Sequence, residues 1–303
     1  MTKPREGLGG AMRGWGTAVH VWQNRDVGLT IATVNVNGIR AAIRKGMLDW
    51  IEDAAPQVIT LQEVRAPDDL VSDLLGEGWF IAHDECSAKG RAGVAIISRQ
   101  PIHSVSSQLG GSAYNDSGRW IEATIDLAAG STDNRASHRT LTVISAYVHT
   151  GDADDADRME EKLAFLRDAI GRLTELRSAG SHVLFTGDLN VAHHEVDIKN
   201  WRGNIGRAGF HPDERAYLDE LIDELGWVDL GRSLGGEGPG PYTWWSYRGQ
   251  AFDNDAGWRI DYQIATPELA ELAVSATVHR SPTYADRWSD HAPLSVQFDL
   301  PED

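Results

Sequence analysis

The chain has 303 residues, of which 41% are hydrophobic and 24% are charged, which is typical of a globular protein with a sizeable core. Its formal net charge of -17 at pH 7 argues against nucleic-acid binding through overall charge, because phosphate binding needs a basic surface. The single cysteine, Cys86, excludes an internal disulfide and a multi-cysteine zinc site. No apolar run approaches the roughly 20 residues of a membrane helix, so we expect a soluble, cytoplasmic protein without a membrane partner.

Residues 1–28 are rich in glycine and have no hydrophobic pattern, which predicts a flexible leader. Residues 29–303 contain no linker that divides them, which predicts one domain. Its amino-terminal part begins with a strand at 29–39, and a helix through Trp50 and Ile51 follows. Further strands are predicted at the following segments: 58–64, 93–99, 119–127 and 141–148, with a polar hairpin loop at 128–140.

The carboxyl-terminal half alternates helices and strands. An amphipathic helix is predicted at 153–178, where apolar residues recur in steps of four and three: Met159, Leu163, Leu166, Ile170 and Leu173. The remaining predicted elements are a strand at 182–188, a helix at 213–225, a Gly-rich loop at 231–245, and strands at 258–266 and 292–300. This alternation predicts the α/β class.

Polar side chains occur at the ends of several predicted strands: Asn35, Asn37, Glu63, Tyr147, Asp188, Asn190, Asp261, Asp290 and His291. Each one alone is more often a cap or turn residue than a functional group. The set is dominated by carboxylates and amides, which suit a hard, oxygen-liganded cation such as Mg²⁺ better than zinc. The pattern therefore indicates phosphate-ester chemistry.

An ordered series of motifs carries a resemblance to a known family: "NVNGIRA", "LQEV", "GVAIISR", "SGRW", "AYV", "GDLNVAHHEVDIKN", "AGFHPDER", "YTWWSYR", "WRIDY" and "SDHAPLSV". Together they resemble the exonuclease III-type apurinic/apyrimidinic (AP) endonucleases of the endonuclease/exonuclease/phosphatase superfamily. The resemblance implies a four-layered, DNase-I-like α/β sandwich, in which helices flank two central mixed sheets. It also implies Mg²⁺-dependent hydrolysis, with Mn²⁺ as a possible substitute, 5′ to abasic sites and from recessed 3′ ends of double-stranded DNA.

The resemblance assigns roles residue by residue. Glu63 corresponds to the principal metal-binding carboxylate, with Asn37 and Asp290 beside it. Asp188 corresponds to the residue that orients or deprotonates the attacking water, and Asn190 helps to hold it. His291 and Tyr147 correspond to phosphate-contacting groups, and Asp261 corresponds to the partner of His291. His193 and His194 are not expected to bind metal.

The same resemblance predicts a substrate-binding surface. Trp244, Trp258 and Ile260 correspond to an apolar pocket for a sugar that has lost its base. Arg119 and Asn204 correspond to DNA-contacting positions. Two positions depart from the family pattern, because Thr150 stands where an amide side chain is usual and Arg207 where another member has Asn. Asn37 also replaces an Asp found in some relatives, which removes one negative ligand.

Basic residues recur in short segments despite the acidic total, and this distribution predicts a local basic rim for DNA: Arg40, Arg44, Arg119, Lys199, Arg202 and Arg207. Two other functions stay open. One is a catalytically silent relative that binds nucleic acid, and the other is a phosphodiesterase or phosphatase for small phosphoesters. The aromatic segments "YTWW" and "GWRIDY" favour the nuclease, which we expect to be a monomer.

Overall fold

The computed structural model describes residues 28–111, 114, 116–127 and 140–300 of the chain. The predicted leader, apart from Gly28, and nearly all of the predicted loop 128–140 lie outside these residues. The strands, in chain order, are β1 (Gly28–Asn35), β2 (Val58–Gln62), β3 (Phe80–Asp84), β4 (Val94–Ser98), β5 (Ile102–Ser106), β6 (Trp120–Asp126), β7 (Thr140–Tyr147), β8 (His182–Asp188), β9 (Val228–Asp229), β10 (Asp261–Ala265), β11 (Ala273–Val278) and β12 (Leu294–Asp299).

The described helices lie on the outer faces of the sheets, apart from short ones near the sheet ends. The α-helices are α1 (Ile39–Arg44), α2 (Met47–Ala54), α3 (Asp68–Leu75), α4 (Ala156–Ser178), α5 (Pro212–Asp219), α6 (Leu230–Ser233) and α7 (Pro267–Ala270), and two 3-10 helical turns are Glu195–Asp197 and Trp201–Gly203. Within the described ranges, no helix is both long and apolar enough to cross a membrane.

Two mixed sheets form the centre of the molecule, with strand orders β11-β12-β1-β2-β4-β3 and β5-β6-β7-β8-β10-β9. Alternate residues of each strand face opposite sides, so each sheet contributes to two apolar layers. Ile31 and Val143 belong to the layer between the sheets. Val34 packs with Met47 of α2, whereas Phe185 packs with Phe165 of α4. The predicted four-layered α/β sandwich is therefore confirmed.

One end of this sandwich collects the polar strand ends. β1 and β2 are parallel, and so are β7 and β8, so the carboxyl ends of all four strands lie at this end. β10 is antiparallel to β8 and begins there, with Asp261 opposite Asp188. β12 is antiparallel to β1, and its first residue, Leu294, lies opposite Thr33. The segment that precedes β12 is thereby delivered to the same place.

Several predicted boundaries were wrong for local backbone reasons. The first strand ends at Asn35 instead of residue 39, because Asn37 and Gly38 adopt positive φ angles of 47° and 98° before α1 begins. The strand predicted at 58–64 ends at Gln62, since Glu63 has a φ of 51°. The helix through Trp50 is two helices, separated by Gly46 with a φ of 111°.

Other differences concern the later elements and the edges. The strand predicted at 258–266 is limited to β10, and the helix predicted at 213–225 is α5 followed by a π-helical turn, Glu220–Glu224. α4 starts three residues later than predicted, after Asp155 caps its first amides. The unpredicted strands β3, β5, β9 and β11 are the edge strands of the two sheets. β3, β5 and β11 have mostly exposed or half-buried side chains and β9 has only two residues, which removes the apolar alternation that identifies a strand.

Candidate active site

A cleft of about 330 Å³ opens at the end of the sandwich where the polar strand ends meet. It is lined by Glu63, Tyr147, Thr150, Asp188, Asn190, Ala208, Gly209, Trp244, Trp258, Ile260, Asp290 and His291. A larger groove of about 570 Å³ beside α2 and α3 is lined in part by Glu52, Gln57, Glu77 and Arg99, but it lies at the opposite end of β2, away from the polar strand ends. The cleft is therefore the candidate site.

Asp188 is the last residue of β8 and is almost completely buried. The strand can end in this way because Gly187 has a φ of 136°, and a Cβ atom there would lie 1.9 Å from the carbonyl oxygen of Ala146. Asp188 Oδ2 accepts hydrogen bonds from Asn35 Nδ2 at 2.9 Å and Asn190 Nδ2 at 3.2 Å. Its Oδ1 accepts from the backbone amide of Asn190 at 3.0 Å. The carboxylate is thus held at both oxygens.

Asn190 turns the chain immediately after Asp188. Its φ of 51° lies in the left-handed region, which asparagine tolerates better than most residues. The side-chain amide donates to the carbonyl oxygen of Val148 at 2.8 Å as well as to Asp188. The motif "GDLN" therefore forms a rigid turn that presents a carboxylate and an amide to the cleft, so it is both a turn and a candidate catalytic element.

His291 and Asp261 form a buried pair, of which only His291 lines the cleft. His291 Nδ1 lies 2.8 Å from Asp261 Oδ2, and His291 Nε2 lies 3.7 Å from Asp188 Oδ2. The backbone amide of Asp261 donates to Thr243 Oγ1 at 3.1 Å, which fixes the start of β10. Asp261 does not line the cleft and acts on it through the imidazole.

The charges of this cluster follow from its burial. Burial raises the pKa of Asp188 to about 7; Asp261 and Glu63 also raise it, whereas His291 and the hydrogen bond from Asn35 oppose the shift. Burial lowers the pKa of His291, but the carboxylates of Asp261 and Asp188 more than offset this and raise it to about 10. His291 is therefore an imidazolium at neutral pH, beside a carboxylate that can exchange a proton in that range.

Glu63 and Asp290 are joined by two asparagines. Asn35 Nδ2 donates to Glu63 Oε1 at 2.9 Å, and Asn35 Oδ1 accepts from the backbone amide of Asn37 at 3.0 Å. Asn37 Nδ2 donates to Asp290 Oδ1 at 2.8 Å. Burial would raise the pKa of Asp290, but the charge on His291 and the hydrogen bonds from Asn37 and Trp244 lower it, so Asp290 is ionised.

These groups fit a hard cation. Glu63 and Asp290 supply carboxylate oxygens to one cleft, and the guanidinium of Arg65 pairs with Glu63 Oε2, so it holds that carboxylate in place. Asp188, Asp261 and His291 form a second group with ligand atoms within 4.8 Å of one another. The imidazolium form of His291 has no free lone pair, so this second group is the poorer cation site. Asn37 lies behind Asp290 and orients it, instead of lining the cleft.

Tyr147 closes the polar side of the cleft at the end of β7. Burial, together with the charges of Glu63 and Asp188, raises the pKa of its phenol, which keeps it protonated and able to donate a hydrogen bond. The guanidinium carbon of Arg119 lies 4.8 Å from the centre of the Tyr147 ring. Arg119 Nη1 donates a hydrogen bond to the carbonyl oxygen of Tyr147 at 3.2 Å. Arg119 therefore supports the phenol from behind.

The opposite wall of the cleft is apolar. Trp244 and Trp258 meet edge to face, with ring centroids 6.1 Å apart, and pack in a cluster with Ile260 and Phe210. Trp244 Nε1 donates to Asp290 Oδ2 at 3.1 Å, so the same side chain borders the polar and apolar parts. The three predicted pocket residues thus lie together beside the carboxylates.

Other sequence-based assignments lie next to the cleft or away from it. Thr150 lines it, whereas Asn204 and Arg207 belong to the loop that leads into the lining residues Ala208 and Gly209. Asn204 Nδ2 donates to the carbonyl oxygen of Asn200, and Arg207 is exposed. His193 Nε2 lies 2.8 Å from Asp219 Oδ1, and its ring stacks on that of His194.

Two contributors were missed as site residues. Asn35 was noted at a strand end, yet it is the side chain that contacts both Glu63 and Asp188. The signal was an amide side chain near the end of an apolar, β-branched segment, which places it at the sheet edge. Gly209 was not assigned, although a Cβ there would lie 2.9 Å from the Trp258 ring. Its signal was the glycine of "AGFHPDER", which allows close approach of the backbone to that ring.

Comparison with known proteins agrees with this geometry. Residues 32–291 match the Endonuclease/Exonuclease/phosphatase family. The chain is 31% identical over 268 residues to the Bacillus subtilis protein "Exodeoxyribonuclease", covering 88% of this chain and 98% of that protein. It is 26% identical over 273 residues to the Dictyostelium discoideum "DNA-(apurinic or apyrimidinic site) endonuclease", covering 90% of this chain and 71% of that protein.

A solved structure gives the same result for the fold. The structure of an AP endonuclease from Archaeoglobus fulgidus superposes with a TM-score of 0.76 at 29% sequence identity, covering 90% of this chain and 100% of that one. The family match extends over most of the described residues, and the matched region holds the strand ends that form the cleft. The chain therefore belongs to the endonuclease/exonuclease/phosphatase family, and within it to the exonuclease III-type AP endonucleases.

Proposed function

We propose that this protein is a Mg²⁺-dependent DNA-repair nuclease that hydrolyses the phosphodiester 5′ to an abasic site and degrades duplex DNA from recessed 3′ ends. The observation that carries the proposal is the division of one cleft into two parts. Asp188, Asn190, His291 and Tyr147 line its polar part, and Trp244, Trp258 and Ile260 line its apolar part. A phosphodiester next to a sugar without a base presents the same two chemistries side by side.

The polar part supports hydrolysis by water. Asp188, with a pKa raised to about 7, accepts the proton of the attacking water, and Asn190 holds that water in line with the phosphorus. The imidazolium of His291 and the neutral phenol of Tyr147 face the non-bridging oxygens and stabilise the negative charge that develops there. Asp261 keeps the imidazole oriented and protonated.

Glu63 and Asp290 would hold the metal ion, with Asn37 orienting Asp290. Mg²⁺ is the preferred candidate because the donors are carboxylate oxygens, and Mn²⁺ is an expected substitute. When bound, such an ion neutralises charge on the phosphate and on the leaving 3′ oxygen.

The apolar part supports selection of an abasic sugar. A normal nucleotide carries a base that this 330 Å³ cleft has to accommodate together with the phosphate, whereas a base-free sugar presents a small apolar face to Trp258 and Ile260. The aromatic walls are the feature that favours the nuclease over a phosphatase for small phosphoesters. A catalytically silent relative is disfavoured, because Glu63 and the polar groups of the cleft are all in place.

A basic rim would hold the duplex. Arg40 and Arg44 are exposed on α1, which begins directly after the Asn37 turn. Three further exposed cations lie on the loop that leads to the cleft: Lys199, Arg202 and Arg207. Because the net charge is -17, affinity should depend on these local contacts and fall as salt concentration rises. We expect the enzyme to act as a monomer in the cytoplasm.

The deciding experiment uses the purified protein with Mg²⁺ and labelled duplexes that carry an abasic-site analogue or a recessed 3′ end. A phospholipid and an inositol phosphate are assayed beside them. Incision 5′ to the analogue and shortening from the 3′ end support the proposal. Hydrolysis of only the small phosphoesters would assign the phosphatase function, and DNA binding without hydrolysis would assign the silent relative.

A further inference from the structure

The most unusual charged residue outside the cleft is Lys162 on α4. Its side chain is fully buried, although it lies on the face of the helix that otherwise carries Phe165 and Leu166. A buried ammonium needs several acceptors to offset the loss of water. Lys162 Nζ has three: Glu214 Oε1 at 2.5 Å, the carbonyl oxygen of Asn190 at 2.9 Å and that of Thr150 at 3.1 Å.

These acceptors belong to three different segments, and two of them line the cleft. Asn190 holds Asp188 from one side, and Thr150 follows the end of β7. The stem of Lys162 also fits closely against this region, since a Cβ at Gly151 would lie 3.0 Å from Lys162 Cδ. One ammonium therefore contacts the backbone that follows β8, which ends in Asp188, and the backbone that follows the neighbouring strand β7.

Glu214 extends the connection to the apolar wall. Its Oε2 accepts hydrogen bonds from the backbone amides of Gly209 at 2.7 Å and His211 at 3.0 Å. These bonds hold the turn 209–211 against the start of α5. Gly209 lies against Trp258, and its carbonyl oxygen accepts from the amide of Ala192 at 2.8 Å. The polar and apolar parts of the cleft thus share one buried ion pair.

Stability alone does not account for an ionic group in this place. A buried ion pair can often be replaced by apolar side chains of similar volume without loss of stability. An apolar side chain cannot, however, donate to two carbonyl oxygens that converge from separate loops. Lys162 is therefore needed to hold the Thr150 and Asn190 carbonyl groups in place.

We propose that Lys162, paired with Glu214, is a positioning residue that sets the placement of Asn190 and of the Thr150 loop relative to Trp258. This inference rests on the proposed function, because it concerns the same cleft. Loss of the Lys162 ammonium should lower kcat much more than it raises KM, since misplacement of a reactive group by about 1 Å can reduce the rate about 10²-fold.

The test compares Lys162→Met, Glu214→Gln and the double variant Lys162→Met/Glu214→Gln. Lys162→Met leaves a carboxylate buried without its partner, so it should be the least stable of the three. The double variant removes both charges and should recover much of the thermal stability. Because the two carbonyl oxygens still lack their donor, we expect its kcat to stay about 10²-fold below wild type. Glu214→Gln keeps both carbonyl contacts and should lose less.

A matched control lies on the same helix. Arg172 Nε pairs with Glu122 Oε1 at 2.8 Å, which joins α4 to β6 away from the cleft. The double variant Arg172→Met/Glu122→Gln removes the same charges and should keep wild-type kcat. Recovery of kcat to within about threefold of wild type in Lys162→Met/Glu214→Gln, well short of the loss expected from misplacement, overturns the proposal. Failure of that variant to fold overturns it as well, because the pair would then serve the fold.

Hydrogen exchange separates this inference from the proposed function, since it needs no substrate. Backbone amides in segments 148–151, 189–192 and 208–211 should exchange faster in the double variant, whereas β11 should be unchanged. Unchanged exchange in the three segments contradicts the positioning role. If wild-type protein hydrolyses neither DNA substrate, the proposed function fails, but the exchange result still decides the role of Lys162.

Discussion

Substitution of Asp188 by Asn is the sharpest test of the proposed chemistry, because it preserves size and removes one charge. An Asn side chain has one acceptor oxygen where Asp188 has two. It can accept from the side chains of Asn35 and Asn190 or from the backbone amide of Asn190, but not from both groups. One buried donor is then left without a partner, which costs about 1–3 kcal/mol.

The loss of stability should be partly offset. Burial raises the pKa of Asp188 to about 7, which means that the ionised carboxylate is itself unfavourable in this position. Replacement by a neutral amide removes that cost and also the repulsion from Asp261 and Glu63. We therefore expect Asp188→Asn to fold, with wild-type circular dichroism and a modestly lower Tm.

Turnover should fall far more than stability. Loss of a positioned general base costs about 10²–10⁴-fold, which corresponds to about 3–5 kcal/mol at 1.36 kcal/mol for each factor of ten. Single-turnover cleavage of a duplex with an abasic analogue measures this rate. Fluorescence anisotropy without divalent ions measures DNA affinity, which should be unchanged or higher because a negative charge near the phosphate has been removed.

The dependence of the cleavage rate on pH tests the same role of Asp188. Asp188 accepts a proton only when it is ionised, so the wild-type rate should fall about tenfold for each pH unit below a pKa of about 7 and level off above it. The residual rate of Asp188→Asn should lack this acidic limb. A variant that is folded and within about threefold of wild-type turnover, far less than expected for a general base, would show that "GDLN" is only a turn.

Three further outcomes are expected. Excess EDTA should abolish cleavage, and Glu63→Ala should raise the Mg²⁺ concentration for half-maximal rate by about tenfold or more, which a Mg²⁺ titration of the initial rate measures. Asp261→Asn should reduce kcat by about 10²-fold with little change in DNA affinity, because the imidazolium of His291 loses its partner; an unchanged pH profile and rate would contradict this. Gly187→Ala should destabilise the fold by about 3 kcal/mol in denaturant unfolding, since a Cβ there would meet the Ala146 carbonyl at 1.9 Å; a change below about 1 kcal/mol would mean that β8 can shift at low cost.

The residues at the carboxyl ends of buried strands were the most predictable part of the site. Asp188 and Tyr147 each follow a run of apolar, β-branched residues, so their position at a sheet end follows from pattern alone. Their joint placement required the resemblance to a family, since parallel pairing of β7 with β8 is not visible in the pattern. Asp261 begins β10 and His291 lies three residues before β12, and only the antiparallel pairing of these strands reveals that both residues reach this edge.

The unpredicted features are those where tertiary contacts override local signals. β5 is mostly exposed at a sheet edge, so its side chains carry little hydrophobic alternation. Lys162 lies within an apolar helical face and would be assigned to solvent from its residue type, yet three acceptors brought by distant segments bury it. Asn35 and Asn37 have the same residue type, but β1 ends at Asn35 and Asn37 lies in the turn that follows, so only Asn35 contacts both Glu63 and Asp188.

A line of polar contacts beneath the cleft explains how two sheets can share one site. Thr60 Oγ1 on β2 and Thr186 Oγ1 on β8 lie 2.6 Å apart across the layer between the sheets, and Gln62 Nε2 donates to Ser145 Oγ at 3.0 Å. Apolar packing alone is tolerant of sliding, whereas buried hydrogen bonds have defined partners and are costly to break.

This line continues to the base of the cleft as the buried contact of Asn35 Nδ2 with Asp188 Oδ2 at 2.9 Å, where one sheet meets the other. Asn35 and Glu63 belong to the first sheet and its end, whereas Asp188 and Asp261 belong to the second. A slip between the sheets would separate Glu63, the proposed metal ligand, from Asp188, the proposed general base. The buried hydrogen bonds of Thr60, Thr186 and Gln62 therefore fix the position of one sheet relative to the other. This relative position brings Glu63 and Asp188 to one cleft.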